Sequence, residues 1–151
     1  MRILVDADAC PVKEIIEDIA REHSIELIMV SNINHFIRSD YAQVVMVDGA
    51  DQSADIYIIN LCRKRDIVIT QDYGLASMVL AKGSYAMDSL GRRFSPCNIE
   101  GLLMQRYVNQ KARRAGERIT GPKKRQLADN SRFMRKLLQL IQEIEHEDLP
   151  Q

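Results

Sequence analysis

The first ninety residues alternate short apolar runs with segments in which apolar side chains return every three or four positions. Residues 3–6 (Ile-Leu-Val-Asp), 25–30, 43–47 and 66–70 are apolar without strict two-residue alternation, the pattern of strands covered on both faces of a sheet. A shorter run at 85–87 predicts a fifth strand. Between them, Ile15, Ile16, Ile19 and Ala20 fall at helical spacing within 11–22, as do Ala54, Ile58, Leu61 and Cys62 in a segment reaching about residue 65. A third helix is predicted over 73–82, stopped by Gly83. Pro11 is placed to open the first helix, where a missing N–H goes unnoticed, and Ser53 to cap the second. Strands alternating with helices predict a three-layer α/β/α fold with a mostly parallel central sheet.

The character changes after Pro96. A helix over about 98–112 leads into a glycine-punctuated basic loop, Gly116 to Arg125, and then to an amphipathic helix over about 127–146. That last helix carries Phe133, Leu137, Leu140, Ile141 and Ile144 on one face, a stripe that faces either the core or a second copy of the chain in a homodimer. At 151 residues the chain is one domain, read as an α/β core over 1–91 and a basic loop and helical extension over 92–151.

Charge sharpens this division. Residues 1–91 hold 8 Lys and Arg against 14 Asp and Glu, whereas 92–151 hold 13 against 7, so a net charge of zero conceals halves of −6 and +6. All 13 cations of the second half lie before residue 137, which predicts an anionic partner. No apolar run approaches the roughly 20 residues that span a bilayer, and the opening run meets Asp6 too early for a signal peptide, so a cytoplasmic protein is expected. Cys10, Cys62 and Cys97 show no CxxC spacing and read as free thiols. Cys10 beside Pro11 evokes a phosphatase nucleophile, but position 16, where its arginine belongs, is Ile.

The acids fall where chemistry is expected. Ligands of an open parallel sheet bind outside the carboxyl ends of its strands. Asp6 and Asp8 follow the first strand, Asp48, Asp51 and Asp55 the third, Asp72 the fourth and Asp88 the fifth. Two carboxylates about 5 Å apart repel by roughly 3 kcal/mol at an effective dielectric near 20, so such a cluster calls for a cation. Hard oxygen ligands suit Mg²⁺ or Mn²⁺, which activate water and stabilise the leaving oxygen of a phosphodiester. Asp6 and Asp72 closely follow buried runs and are the firmest candidates. Asp8 is divided between the site and the start of the first helix, and Asp66 reads as a strand-entry turn residue.

Three basic clusters complete the picture: Arg92-Arg93, Lys111 to Arg114 with Arg113 and Arg114 at its end, and Lys123-Lys124-Arg125 behind the Gly121-Pro122 turn. With Lys13 they are candidate phosphate ligands for a nucleic acid. Tyr107 and Phe133 read as packing residues rather than base-stacking platforms, which argues against sequence-specific readout. His35, in the loop after the second strand, is placed to contact substrate.

VDADACPVK, ADQSAD, ITQDYGLA, ITGPKKR and ADNSRF together resemble the bacterial YaiI/YqxD family of uncharacterised proteins over nearly the whole chain. That family is grouped with PIN-domain-like proteins, and the resemblance implies an α/β/α fold with metal-dependent ribonuclease chemistry. Carried over by position, it makes Asp6, Asp55 and Asp72 the metal-binding acids. Asp8, Asp51 and Asp88 compete for a fourth place, Asp8 as a ligand or a water-orienting base. Two other readings remain open. One is a nucleic-acid-binding module without catalysis; the other is a haloacid-dehalogenase-like phosphatase with Asp6 as nucleophile and Asp8 as its proton-handling partner.

Overall fold

The computed structural model describes residues 1–49, 53–121 and 123–150. Asp51 and Pro122, and with them two of the sequence expectations, lie outside the described residues. Six strands form one sheet in the order β3-β2-β1-β4-β5-β6. They are β1 (Ile3–Asp6), β2 (Leu27–Asn32), β3 (Gln43–Val47), β4 (Ile67–Ile69), β5 (Tyr85–Met87) and β6 (Arg93–Phe94). Every pairing is parallel except β5 with β6. The three-layer α/β/α architecture expected from the alternating pattern is the observed one.

Side chains of successive β1 residues point to opposite faces and so enter two cores. Ile3 and Val5 join the core roofed by α1 (Lys13–Glu22) and α5 (Leu127–Glu147). Leu4 joins the core beneath α2 (Ser53–Leu61), α3 (Tyr73–Ala81) and α4 (Pro96–Arg114). The apolar stripe of α5 is therefore occupied within its own chain: Phe133, Leu137, Leu140, Ile141 and Ile144 are all buried.

Several boundaries differ from the sequence reading, each for a local reason. The first helix begins at Lys13, not Pro11, because residues 7–12 form turns that the Lys13 ammonium closes by donating to the carbonyls of Ala7 (3.2 Å) and Cys10 (2.6 Å). The second helix ends at Leu61 rather than near 65: the Arg63 N–H turns to Asp66 Oδ2 (2.9 Å), and Arg65 takes a left-handed φ of 73°. The β6 strand was not predicted at all, since two residues carry no periodicity.

The amino ends of the strands are tied down. Asp66 is buried and accepts from the Arg2 guanidinium at 2.6 Å, while Arg2 also donates to the Leu61 carbonyl at 2.9 Å. The expectation that Asp66 serves a turn at strand entry holds. At the opposite end, Asp88 is equally buried and organises the β5–β6 turn by accepting from the N–H groups of Leu90 and Arg92 and from Arg92 Nε. Gly91 in that turn has φ +84°, and an added Cβ would stand 3.0 Å from Lys136 Cβ and 3.2 Å from Phe133 Cα. Gly91→Ala is expected to cost about 1–3 kcal/mol, read as a lower urea midpoint with an unchanged m-value.

Candidate functional site

The strand order reverses at β1: β2 and β3 lie on one side of it, β4 and β5 on the other. The crevice outside the carboxyl ends of β1 and β4 is thus the switch point, where a doubly wound sheet takes its ligands. Asp6 ends β1 and Asp72 lies just beyond β4. Thr70, buried between them, donates its hydroxyl to Asp6 Oδ2 (3.2 Å) and accepts from the Asp72 N–H (3.0 Å). One side chain therefore orients both acids. Asp72 also caps α3, with Oδ1 accepting from the Leu75 N–H at 3.0 Å.

Asp55 enters from the first turn of α2. Its carboxyl holds its proton up to about 6, because burial disfavours the charge and the carboxylates of Asp72 and Asp6 repel it, with Arg106 acting in the opposite sense. Asp6 is likewise pushed above the ordinary carboxylate value by burial, partly offset by the Thr70 hydrogen bond and reinforced by Asp8 and Asp72. Asp6, Asp55 and Asp72 thus share one electrostatic neighbourhood. Among the described residues, no group of three or more His, Cys, Asp or Glu side chains is arranged to hold a metal ion. The donors are nevertheless of the hard-oxygen type that binds Mg²⁺ through one or two carboxylates, with water and phosphate completing the shell.

Asp8 has a separate set of partners. It stands five residues ahead of α1, outside the helix start, and turns toward the end of β2. There it accepts from the Ser31 hydroxyl (2.9 Å) and the Asn32 N–H (3.0 Å), with His35 Nδ1 at 3.1 Å. The His35 side chain is mostly exposed. Of the competitors for a fourth acid, Asp88 is committed to its turn, and Asp51 lies outside the described residues.

The cations divide into tethers and free-standing charges. Lys13 is spent on the loop carbonyls described above. Arg125 donates to Asn130 Oδ1 and to the Ser89 carbonyl, both at 2.8 Å, and fastens the basic segment to the β5–β6 turn. Arg113 and Arg114 are exposed in the last turn of α4, and Lys123 and Lys124 are exposed beyond it. α4 and α5 cover opposite faces of the sheet, and Arg125, just ahead of α5, is anchored at Ser89 beyond the carboxyl end of β5.

Sequence reasoning missed Arg106. It projects from the middle of α4 to bring Nη1 within 3.9 Å of Asp72 Oδ1. It is one basic residue on the exposed side of a helix, and its partner is 34 positions away, so no local spacing marks it. Phe133 is a core residue as expected, but Tyr107 is 60% exposed and packs in neither core. The three cysteines are free, Cys10 and Cys62 buried and Cys97 exposed. No helix among the described residues is long and apolar enough to cross a membrane.

A doubly wound α/β protein with coupled carboxylates at its switch point is the class this fold and site define. Within that class the chain belongs to the family described as "Uncharacterized BCR, YaiI/YqxD family", whose pattern matches residues 4–143. It is 49% identical over 141 residues to a UPF0178 protein of Clostridium kluyveri, covering 93% of each chain. A UPF0178 protein of Clostridium perfringens is 43% identical over 144 residues, 95% of this chain and 97% of its own. Another, from Natranaerobius thermophilus, is 44% identical over 141 residues, 93% of this chain and 96% of its own. No solved structure matches the chain.

Proposed function

We propose that the protein is a Mg²⁺- or Mn²⁺-dependent phosphodiesterase acting on RNA at the carboxyl edge of its sheet. One observation carries this reading: the Asp55 carboxyl, pushed up to about 6 by burial and by Asp72 and Asp6, belongs to a set of acids whose mutual repulsion a divalent cation would relieve. A resemblance to PIN-like nucleases agrees with it. Asp6 and Asp72, held by Thr70, are the residues that would hold the ion, with Asp55 alongside. Such an ion supplies positive charge to the phosphodiester and lowers the proton affinity of water. Arg106 presents a guanidinium beside Asp72 for a substrate phosphate, and Arg113, Arg114, Lys123 and Lys124 extend the positive field that draws the strand in.

The orientation of Asp8 weighs against the phosphatase reading, in which the second acid must serve the first. Its oxygens are engaged by Ser31, Asn32 and His35 instead.

The test is Mn²⁺-dependent cleavage of end-labelled RNA. Asp6→Asn and Asp72→Asn should each lower the rate by at least about 100-fold. Asn remains a good helix cap, so Asp72→Asn should still melt cooperatively. Cleavage undiminished in both variants overturns the assignment. Salt-sensitive RNA binding without cleavage by the wild type under any divalent cation would make the protein a binding module instead.

A further inference from the structure

A cleft of about 350 Å³ lies between the start of α3 and the outward face of α4, opening beside the carboxylates. Its lining includes Tyr73, Gln105, Arg106, Asn109, Gln110 and Arg113, and no carboxylate. Arg106, 3.9 Å from Asp72, marks the junction between cleft and acids. Arg113 stands two helical turns further on, about 10 Å along the axis, so each guanidinium is placed for its own phosphate of a strand.

Carboxamides stand beside the two arginines. Each offers a donor and an acceptor together, the combination that a nucleobase edge presents and a phosphate does not. Gln105 Nε2 donates to Asn109 Oδ1 at 2.9 Å, which fixes the pair one turn apart and leaves the Gln105 carbonyl as acceptor and the Asn109 amide as donor. The opposite wall is Tyr73. Its ring is held edge-on by Phe94, with centroids 5.6 Å apart, and its hydroxyl accepts from Arg92 Nη2 at 3.0 Å. The Arg92 guanidinium also lies over the ring at 5.6 Å, so Tyr73 offers a base only the part of its surface that lines the cleft. The volume suits one nucleotide, and a base reaches such a recess only when unpaired.

We propose that this cleft is a base-reading subsite: Gln105 and Asn109 hold the edge of one unpaired RNA base against Tyr73, and so select which base flanks the phosphodiester at Asp6 and Asp72. The last clause rests on the phosphodiesterase reading; the base selection does not. Arg106 and Arg113 grip the flanking phosphates whatever the sequence.

The experiment measures fluorescence anisotropy of fluorescein-labelled A, U and C ten-mers of RNA with the full chain in EDTA, across a salt series. The wild type should bind one homopolymer at least about 5-fold more tightly than the others. The double variant Gln105→Ala/Asn109→Ala should bring all three within about 2-fold while keeping its salt slope and melting temperature. Arg113→Ala should weaken all three alike and make the log–log salt slope shallower by about 0.7. Equal binding of the three by the wild type, or a preference that survives the double variant, overturns the subsite. Because EDTA removes cleavage, the two readings fail separately. A preference lost in the double variant, with no wild-type cleavage in Mn²⁺, leaves the subsite and removes the phosphodiesterase; cleavage without base preference does the reverse.

Discussion

Asp55→Asn should make the metal-free protein more stable at pH 7 and no more stable at pH 4. The acid's proton affinity rises from the ordinary 3.8 to about 6 on folding, chiefly through burial and then through Asp72 and Asp6. An acid raised in this way contributes stability that is fully present below about pH 4 and is lost as pH climbs through about 6. Undiluted, that rise is worth roughly 3 kcal/mol at pH 7. The side chain is only half-buried, so solvent screening reduces the gain on neutralisation to about 1–2 kcal/mol. Melting in EDTA should therefore show a rise of about 3–6 °C at pH 7. An equal gain at both pH values, or a loss at pH 7, would mean that Asp55 is not strained by its neighbours. If the protein is the phosphodiesterase proposed above, the same substitution should also depress RNA cleavage, because the repulsion that destabilises the edge is what a bound divalent cation would relieve.

Phe133→Ala should remove about 3–5 kcal/mol, a large part of the 5–15 kcal/mol expected for a domain. Phe133 is fully buried, and its backbone lies against the β5–β6 turn at Gly91, so the surroundings cannot close over the void. Urea unfolding of this variant should show a midpoint far below that of Tyr107→Ala, whose exposed ring should matter by less than about 0.5 kcal/mol. Equal midpoints would mean that the last helix does not complete the core.

The strands β1, β2 and β4 were readable because burial on both faces leaves apolar runs with no competing pattern, whereas β3 is apolar at the sheet edge with Gln43 and Met46 exposed, not covered on both faces as expected. Asp6 and Asp72 were readable as acids that closely follow such buried runs. What escaped depends on contacts between distant segments. Lys13 and Arg125 look like available cations in sequence, yet they are bound to carbonyl oxygens, and every residue has one of those. Asp8 was divided in sequence between the site and the helix start, and its contact with Ser31 of β2 could not be seen there. Arg106 and the amides beside it sit on a face of α4 whose polarity is that of any solvated helix. Only the approach of α3 makes that face a cleft.

The two ends of the sheet hold their charges under different terms. Asp66, at the start of β4, is matched by Arg2, so that end presents a neutral pair; the other end, past Thr70, presents carboxylates without equal compensation. Four residue steps separate Asp66 from Thr70, about 13 Å of uncharged strand. At an effective dielectric near 20 a full charge at that range would still be felt by about 1.3 kcal/mol, and a compensated pair by much less. The sheet therefore keeps a neutralised pole apart from an uncompensated one. Drift in the sequence at the first can raise or lower the melting temperature while the acidity of the second stays where it is.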